Sequence, residues 1–209
     1  MSSNATIILI RHAEKHHWDR GQNPSELSIA TYQDDHHLST KGYERAQALV
    51  AYFNHRQEII DAIGNGITHI IAQAVDSGPD PFGQSERPVS AETVAPFANS
   101  KNIPLTKYTK RQLTEAVAFM KSQPASQIIV CWAHQQLPEM ARMLGVPASK
   151  VPEKWPGKRY DETWIIKLGN NDSQPSTLAQ YPQRLLFGDF DEIIPLKKRK
   201  DNITTLDEN

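Results

Sequence analysis

The residues of this chain best suited to chemistry are an arginine and a histidine, Arg11 and His12, directly behind the apolar run Ile7-Ile8-Leu9-Ile10. A guanidinium presents a planar fork of N–H donors that matches phosphate oxygens. A neutral imidazole beside it is a nucleophile that can attack phosphorus and become phosphorylated. Groups of the same kind return later in the chain at Arg87 and His134. Two arginines can hold the phosphoryl oxygens and neutralise charge in a transition state. His12 would be the nucleophile and His134 a second donor across the phosphate.

Such groups act together only if the fold converges them. The β-branched run at residues 7–10 reads as a buried strand whose carboxyl end delivers Arg11 and His12 to a sheet edge, where α/β folds bind ligands. Residues 14–38 form a long polar, turn-rich loop placed to cover that edge. Ser39 or Thr40 then caps a helix running to about Arg56, with Ala46, Leu49, Val50 and Phe53 at helical spacing. A further helical piece at residues 58–63 stops at Gly64. A second strand at residues 67–72 opens into a Gly/Pro/Ser-rich loop, residues 76–85, that delivers Glu86-Arg87-Pro88. Residues 88–99 read as a helix, 103–105 lead into a short strand, and 110–122 form an amphipathic helix. Residues 127–134 are a strand ending on His134, followed by a helix at 137–144 that stops at Gly145. Beyond a proline-punctuated loop, residues 160–168 and 178–181 read as strands. This alternation predicts an α/β fold with a mostly parallel sheet and helices on both faces. The domain is expected to span residues 1–188, with a polar tail at 189–209 that is disordered unless it docks.

The chain has 209 residues, 38% of them hydrophobic and 22% charged, enough for one domain with a sizeable core. A net charge of -1 gives no reason to invoke a nucleic acid or an anionic membrane, so any phosphate-binding charge must be local. The single cysteine, Cys131, excludes an internal disulfide framework and fits a reducing compartment. The amino terminus shows neither a signal peptide nor a membrane span, and a cytoplasmic location is expected. The run Lys197-Lys198-Arg199-Lys200 resembles a nuclear-import signal but reads first as solvated tail. The adjacent pairs His16-His17 and His36-His37 are poor metal chelators because consecutive side chains diverge. Cys131 sits inside an apolar strand and is expected to be packed rather than reactive. Trp132, Trp155 and Trp164 are expected in the core, with a substrate-pocket wall as the other reading.

Taken together, Leu9-Ile10-Arg11-His12-Ala13-Glu14-Lys15, Leu38-Ser39-Thr40-Lys41-Gly42-Tyr43-Glu44-Arg45-Ala46, Ser85-Glu86-Arg87-Pro88-Val89-Ser90-Ala91-Glu92-Thr93 and Trp132-Ala133-His134 resemble the histidine phosphatase superfamily, the phosphoglycerate mutase-like fold. The likeness spans residues 7 to about 168 and is nearest the small, phosphatase-type branch. It implies a three-layer α/β/α sandwich and a phosphohistidine on His12. It also implies a phosphate pocket completed by Arg11, Arg87 and His134, with no metal or organic cofactor. Lys15, His16, His17 and Ser39 are candidate substrate contacts. Many relatives carry a Ser-Pro pair near the end of the second strand, whereas this chain has Ala72-Gln73. The general acid has no motif here, and Glu115, Asp161 and Glu162 are candidates by position. The expected activity is hydrolysis of a phosphomonoester, on a small molecule or a phosphoprotein. The alternatives are a mutase-like phosphotransferase and a catalytically silent phosphate- or phosphoprotein-binding module.

Overall fold

The computed structural model describes residues 4–15, 37–64, 66–74, 89–170 and 174–196. Arg87, His16, His17, His36 and the basic run at 197–200 lie outside the described residues. Those described form an α/β unit with a six-stranded sheet: β1 (Thr6–Arg11), β2 (His69–Ala74), β3 (Leu105–Thr109), β4 (Gln127–Trp132), β5 (Glu162–Lys167) and β6 (Thr177–Pro182), in the order β3-β2-β4-β1-β5-β6. β3, β2, β4 and β1 run parallel, whereas β5 and β6 join antiparallel. Five α-helices pack on the sheet: α1 (Thr40–His55), α2 (Gln57–Ile63), α3 (Val89–Lys101), α4 (Leu113–Lys121) and α5 (Leu137–Met143). None of the described helices is long and apolar enough to cross a membrane.

Every residue of β1 is buried, which explains why it reads as an unbroken apolar run rather than an alternating one. Ile8 and Ile10 face Leu49, Phe53, Ile59, Val94 and Phe97 on α1, α2 and α3, while Ile7 and Leu9 belong to the opposite core with Val117 and Met120 of α4 and Met140 of α5. Helices therefore cover both faces. Among the described residues, the helix that follows β1 (α1) packs on one face and the helix that follows β4 (α5) on the other. The crevice between these two adjacent parallel strands is thus a switch point of the kind that admits ligands.

Several boundaries differ from the sequence reading. β2 starts two residues later than expected, and β3 extends to Thr109 beyond the Ile103-Pro104-Leu105 signal. β4 ends at Trp132, so Ala133 and His134 leave the sheet before the turn into α5. Residues 110–112 form a 3-10 turn whose Thr109 and Gln112 make a capping box, and α4 proper begins at Leu113. The expected tail beginning at residue 189 also needs correction, because its first part docks. Ile194 is 1% exposed within the core, and Asp189 is ion-paired to the buried Arg45. Apolar burial and a buried charge partner both hold residues 189–194 in the packed unit.

Candidate active site

The site forms because β1 and β4 are level. Their parallel register sets Ile10 opposite Cys131 and Arg11 opposite Trp132. His12 and His134 then leave neighbouring strand ends together, with the His12 amide still donating to the Trp132 carbonyl at 3.4 Å.

His12 is 9% exposed, and its Nδ1 lies 2.8 Å from the Ala13 carbonyl oxygen. A carbonyl only accepts, so Nδ1 must carry the proton and a neutral ring then presents the Nε2 lone pair. Burial, reinforced by the charges of Arg11 and Lys15, pushes the His12 pKa down to about 3. The ring is therefore neutral near pH 7, as a nucleophile requires. Ala13 is itself pinned, since its amide donates to Thr93 Oγ1 at 2.8 Å while that hydroxyl donates to Val89 O at 2.6 Å.

Arg11 is 4% exposed. Its Nη1 donates to the carbonyls of Gly157 at 2.6 Å and Arg159 at 3.3 Å, and its Cζ lies 3.7 Å from the centre of the Tyr160 ring. Burial lowers the pKa of this guanidinium from its ordinary value, while Tyr160 and Glu14 act in the opposite sense. Its Nε is buried and has no hydrogen-bond partner among the described residues. The same holds for Nδ1 of His134, whose pKa burial and the charges of Arg11 and Lys110 push down to about 4. Leaving a buried polar atom unsatisfied costs roughly 1–3 kcal/mol. The Arg11 Nε–H is thus a donor without an acceptor, and Nδ1 of a neutral His134 donates or accepts according to its tautomer. The turn carrying His134 is held by Gln73, whose side-chain oxygen accepts the Ala133 amide at 2.8 Å.

The other sequence-predicted residues divide clearly. Ser39 is the N-cap of α1: its hydroxyl accepts from the Gly42 amide and donates to the Glu14 carbonyl, which also accepts the Ser39 amide. It thus braces the chain behind His12, and its O–H is committed to that role. Lys15 pairs with Leu38 in an isolated antiparallel bridge beside the site. Asp161 and Glu162, two of the acid candidates, are engaged by Arg159 at 2.7 Å each. Glu162 is fully buried, and burial pushes its pKa up to about 7, with Asp161 adding to the shift and Arg159 opposing it. Glu115 is exposed on the first turn of α4. Cys131 is fully buried, and burial pushes its thiol up to about 12, so it is an inert packing group. Trp132 and Trp164 are buried, and Trp155 stacks on Trp164 at 4.8 Å between ring centres, which fits the core reading. His37 pairs with Glu92 of α3 at 2.5 Å, and among the described residues no three potential metal-ligating side chains converge.

Three residues outside the sequence reading prove important. Tyr160 stacks on Arg11, Arg159 supplies one of its carbonyl anchors, and Arg45 is buried at 1% exposure beneath Glu14. Arg45 makes a two-bond fork to Glu14 at 2.8 and 2.9 Å and another to Asp189 at 2.6 and 3.0 Å, and also donates to Gln183. Burial opposes its charge, but these carboxylates outweigh burial and raise its pKa. A signal for Arg45 existed: with Gly42, Ala46, Leu49 and Phe53 it falls on the buried helical stripe, and a charge there demands a buried partner. Glu14, Arg45, Lys41, Tyr160 and Asp189 also line a cleft of about 300 Å³ together with Gly157 and Lys158.

No family model matches this chain, and no curated protein matches it closely enough to be a relative.

Proposed function

We propose that the protein is a phosphomonoesterase of the histidine phosphatase type, with a phosphoglycerate mutase-like fold and a phosphohistidine intermediate on His12. One observation carries this reading. A neutral His12, with its proton held on Nδ1 by Ala13, stands at the same sheet edge as two buried, unpartnered nitrogens, Arg11 Nε and His134 Nδ1. That combination suits an incoming phosphoryl group: a lone pair for phosphorus, and for its oxygens the Arg11 Nε–H together with His134 in its Nδ1–H tautomer. The α/β sheet with helices on both faces is compatible with the resembled fold.

In the proposed reaction Nε2 of His12 attacks phosphorus and the ester P–O bond breaks. The leaving oxygen takes a proton, and the phosphoryl group stays on His12. Water then attacks phosphorus, the P–N bond breaks, and inorganic phosphate departs with His12 neutral again. Arg11 and His134 hold the equatorial oxygens, and by resemblance Arg87 completes the clamp. The substrate is a phosphorylated small molecule or a phosphoprotein. The test is turnover of 4-nitrophenyl phosphate by wild type and His12→Ala, with and without chelator. Activity that resists chelator and disappears in the variant supports the reading. An inert wild type sinks it.

A second reading, phosphate or phosphoprotein binding without turnover, draws on the acid candidates: Arg159 engages Asp161 and Glu162, and Glu115 is exposed on α4. Calorimetric binding of inorganic phosphate by an inert wild type would favour it.

A further inference from the structure

We infer that Arg159, clamped by the docked segment at residues 189–194, is a positioning residue for Arg11. The inference rests on the phosphatase reading, since it assigns work to the same site. Arg159 acts through both its backbone and its side chain. Its carbonyl accepts Nη1 of Arg11 at 3.3 Å and Trp155 Nε1 at 2.8 Å, and the next residue, Tyr160, lies under the Arg11 guanidinium and 6.0 Å from the His12 ring. Its own guanidinium, 8% exposed, donates to Asp161 and Glu162 at the start of β5 and to the carbonyl of Glu192 at 2.8 Å. Phe190 packs over that guanidinium at 4.7 Å, and the Phe190 amide donates to Asp161 Oδ2 at 2.5 Å.

The same short segment reaches the other flank of the site through Asp189, Arg45 and Glu14, the last two residues beyond His12. Residues 189–192 therefore grip both sides of the β1 end. They touch neither His12 nor Arg11 directly among the hydrogen bonds and ion pairs described. The Nη1 atom of Arg11 is fixed by backbone carbonyls of residues 157 and 159, so the direction of its remaining donors depends on where that loop stands. Backbone bonds from Arg159 N–H to Pro156 O at 3.0 Å and from Gln183 N–H to Asp161 O at 2.7 Å help to hold this loop, and the Arg159 side chain adds the ties that link it to β5 and to residues 190–192. Lysine at 159 would keep the charge but lose the planar fork that reaches Asp161, Glu162 and Glu192 together.

The experiment compares wild type, Arg159→Lys and Phe190→Ala. Hydrogen exchange at the Arg11 Nε–H is followed by NMR without ligand, assigned with Arg11→Lys, and kcat and KM are measured on 4-nitrophenyl phosphate. Arg159→Lys is expected to speed the Arg11 Nε–H exchange at least tenfold and to lower kcat by roughly 10- to 100-fold, with a smaller change in KM. Phe190, already 45% exposed, is a mild substitution, and its variant should move both readouts in the same direction by about threefold or more. A folded Arg159→Lys whose exchange and kcat both stay within twofold of wild type overturns the inference. If that variant does not fold, unchanged readouts in Phe190→Ala overturn it instead. An inert wild type whose Arg11 exchange still accelerates on substitution refutes the phosphatase reading and upholds the positioning role.

Discussion

Replacing Gly42 by alanine tests most directly the bracing of His12, the proposed nucleophile. Gly42 lies in the first turn of α1, where a Cβ would come 2.0 Å from the Glu14 carbonyl oxygen and 3.1 Å from Leu38 Cβ. The first contact is about 1.4 Å short of an ordinary 3.4 Å one, and the atom it meets is backbone that cannot rotate away. Helix propensity alone favours alanine over glycine by roughly 0.5–1 kcal/mol. Against that stand an overpacking cost of about 1–3 kcal/mol and the loosening of two hydrogen bonds onto Glu14 O, each worth about 1 kcal/mol. The net expectation is a loss of roughly 3 kcal/mol, or about 6–12 °C in Tm for a chain of this size. Because Glu14 O is the atom displaced, His12 two residues earlier moves with it, and turnover should fall by about tenfold or more. The assay is urea unfolding together with aryl phosphate kinetics. Gly64→Ala is the control for activity: no atom lies within 4 Å of its Cβ, so its φ of +47° with ψ of -89° costs local backbone strain of about 1–3 kcal/mol and should leave turnover unchanged. A Gly42→Ala protein as stable and active as wild type would refute the close approach and the bracing together.

Three further outcomes are expected. As pH falls through 6.5 the unfolded chain protonates His12, whereas the folded ring stays neutral to about 3, so the stability present above 6.5 is lost at about 1.4 kcal/mol per pH unit. In denaturant titrations at several pH values, His12→Asn should therefore lose less stability than wild type between pH 7 and 4, and parallel curves would contradict the buried neutral ring. Arg45→Met leaves Glu14 and Asp189 without their buried cation and should cost about 3–5 kcal/mol in urea unfolding; a cost below about 1 kcal/mol would mean the pairing is incidental. With Asp161 and Glu162 engaged by Arg159, leaving-group protonation is unassisted by them, so kcat/KM should climb steeply as the leaving group becomes more acidic across substituted phenyl phosphates. A flat dependence would point to a positioned acid.

Local pattern alone determined much of this protein. The unbroken apolar runs at residues 7–10 and 128–130 identify strands buried on both faces, and the Ser39 cap with its following apolar stripe identifies α1. These signals are short-range, set by side-chain period and by single capping residues, so one sequence suffices to read them. They also drew attention to Arg11, His12 and His134 as strand-end groups. What they could not supply was register. Only the parallel pairing of β1 with β4 makes Arg11 and Trp132 level and so brings the two histidines to one edge. Nor could they identify the partners of buried charge. Asp161 and Glu162 have the right chemistry for an acid, yet they are engaged by Arg159, and Asp189 looks like tail until Arg45 is found buried beside it. Apolar burial follows from local composition, but the fate of a buried charge depends on which distant residue meets it, and that is decided by the tertiary fold.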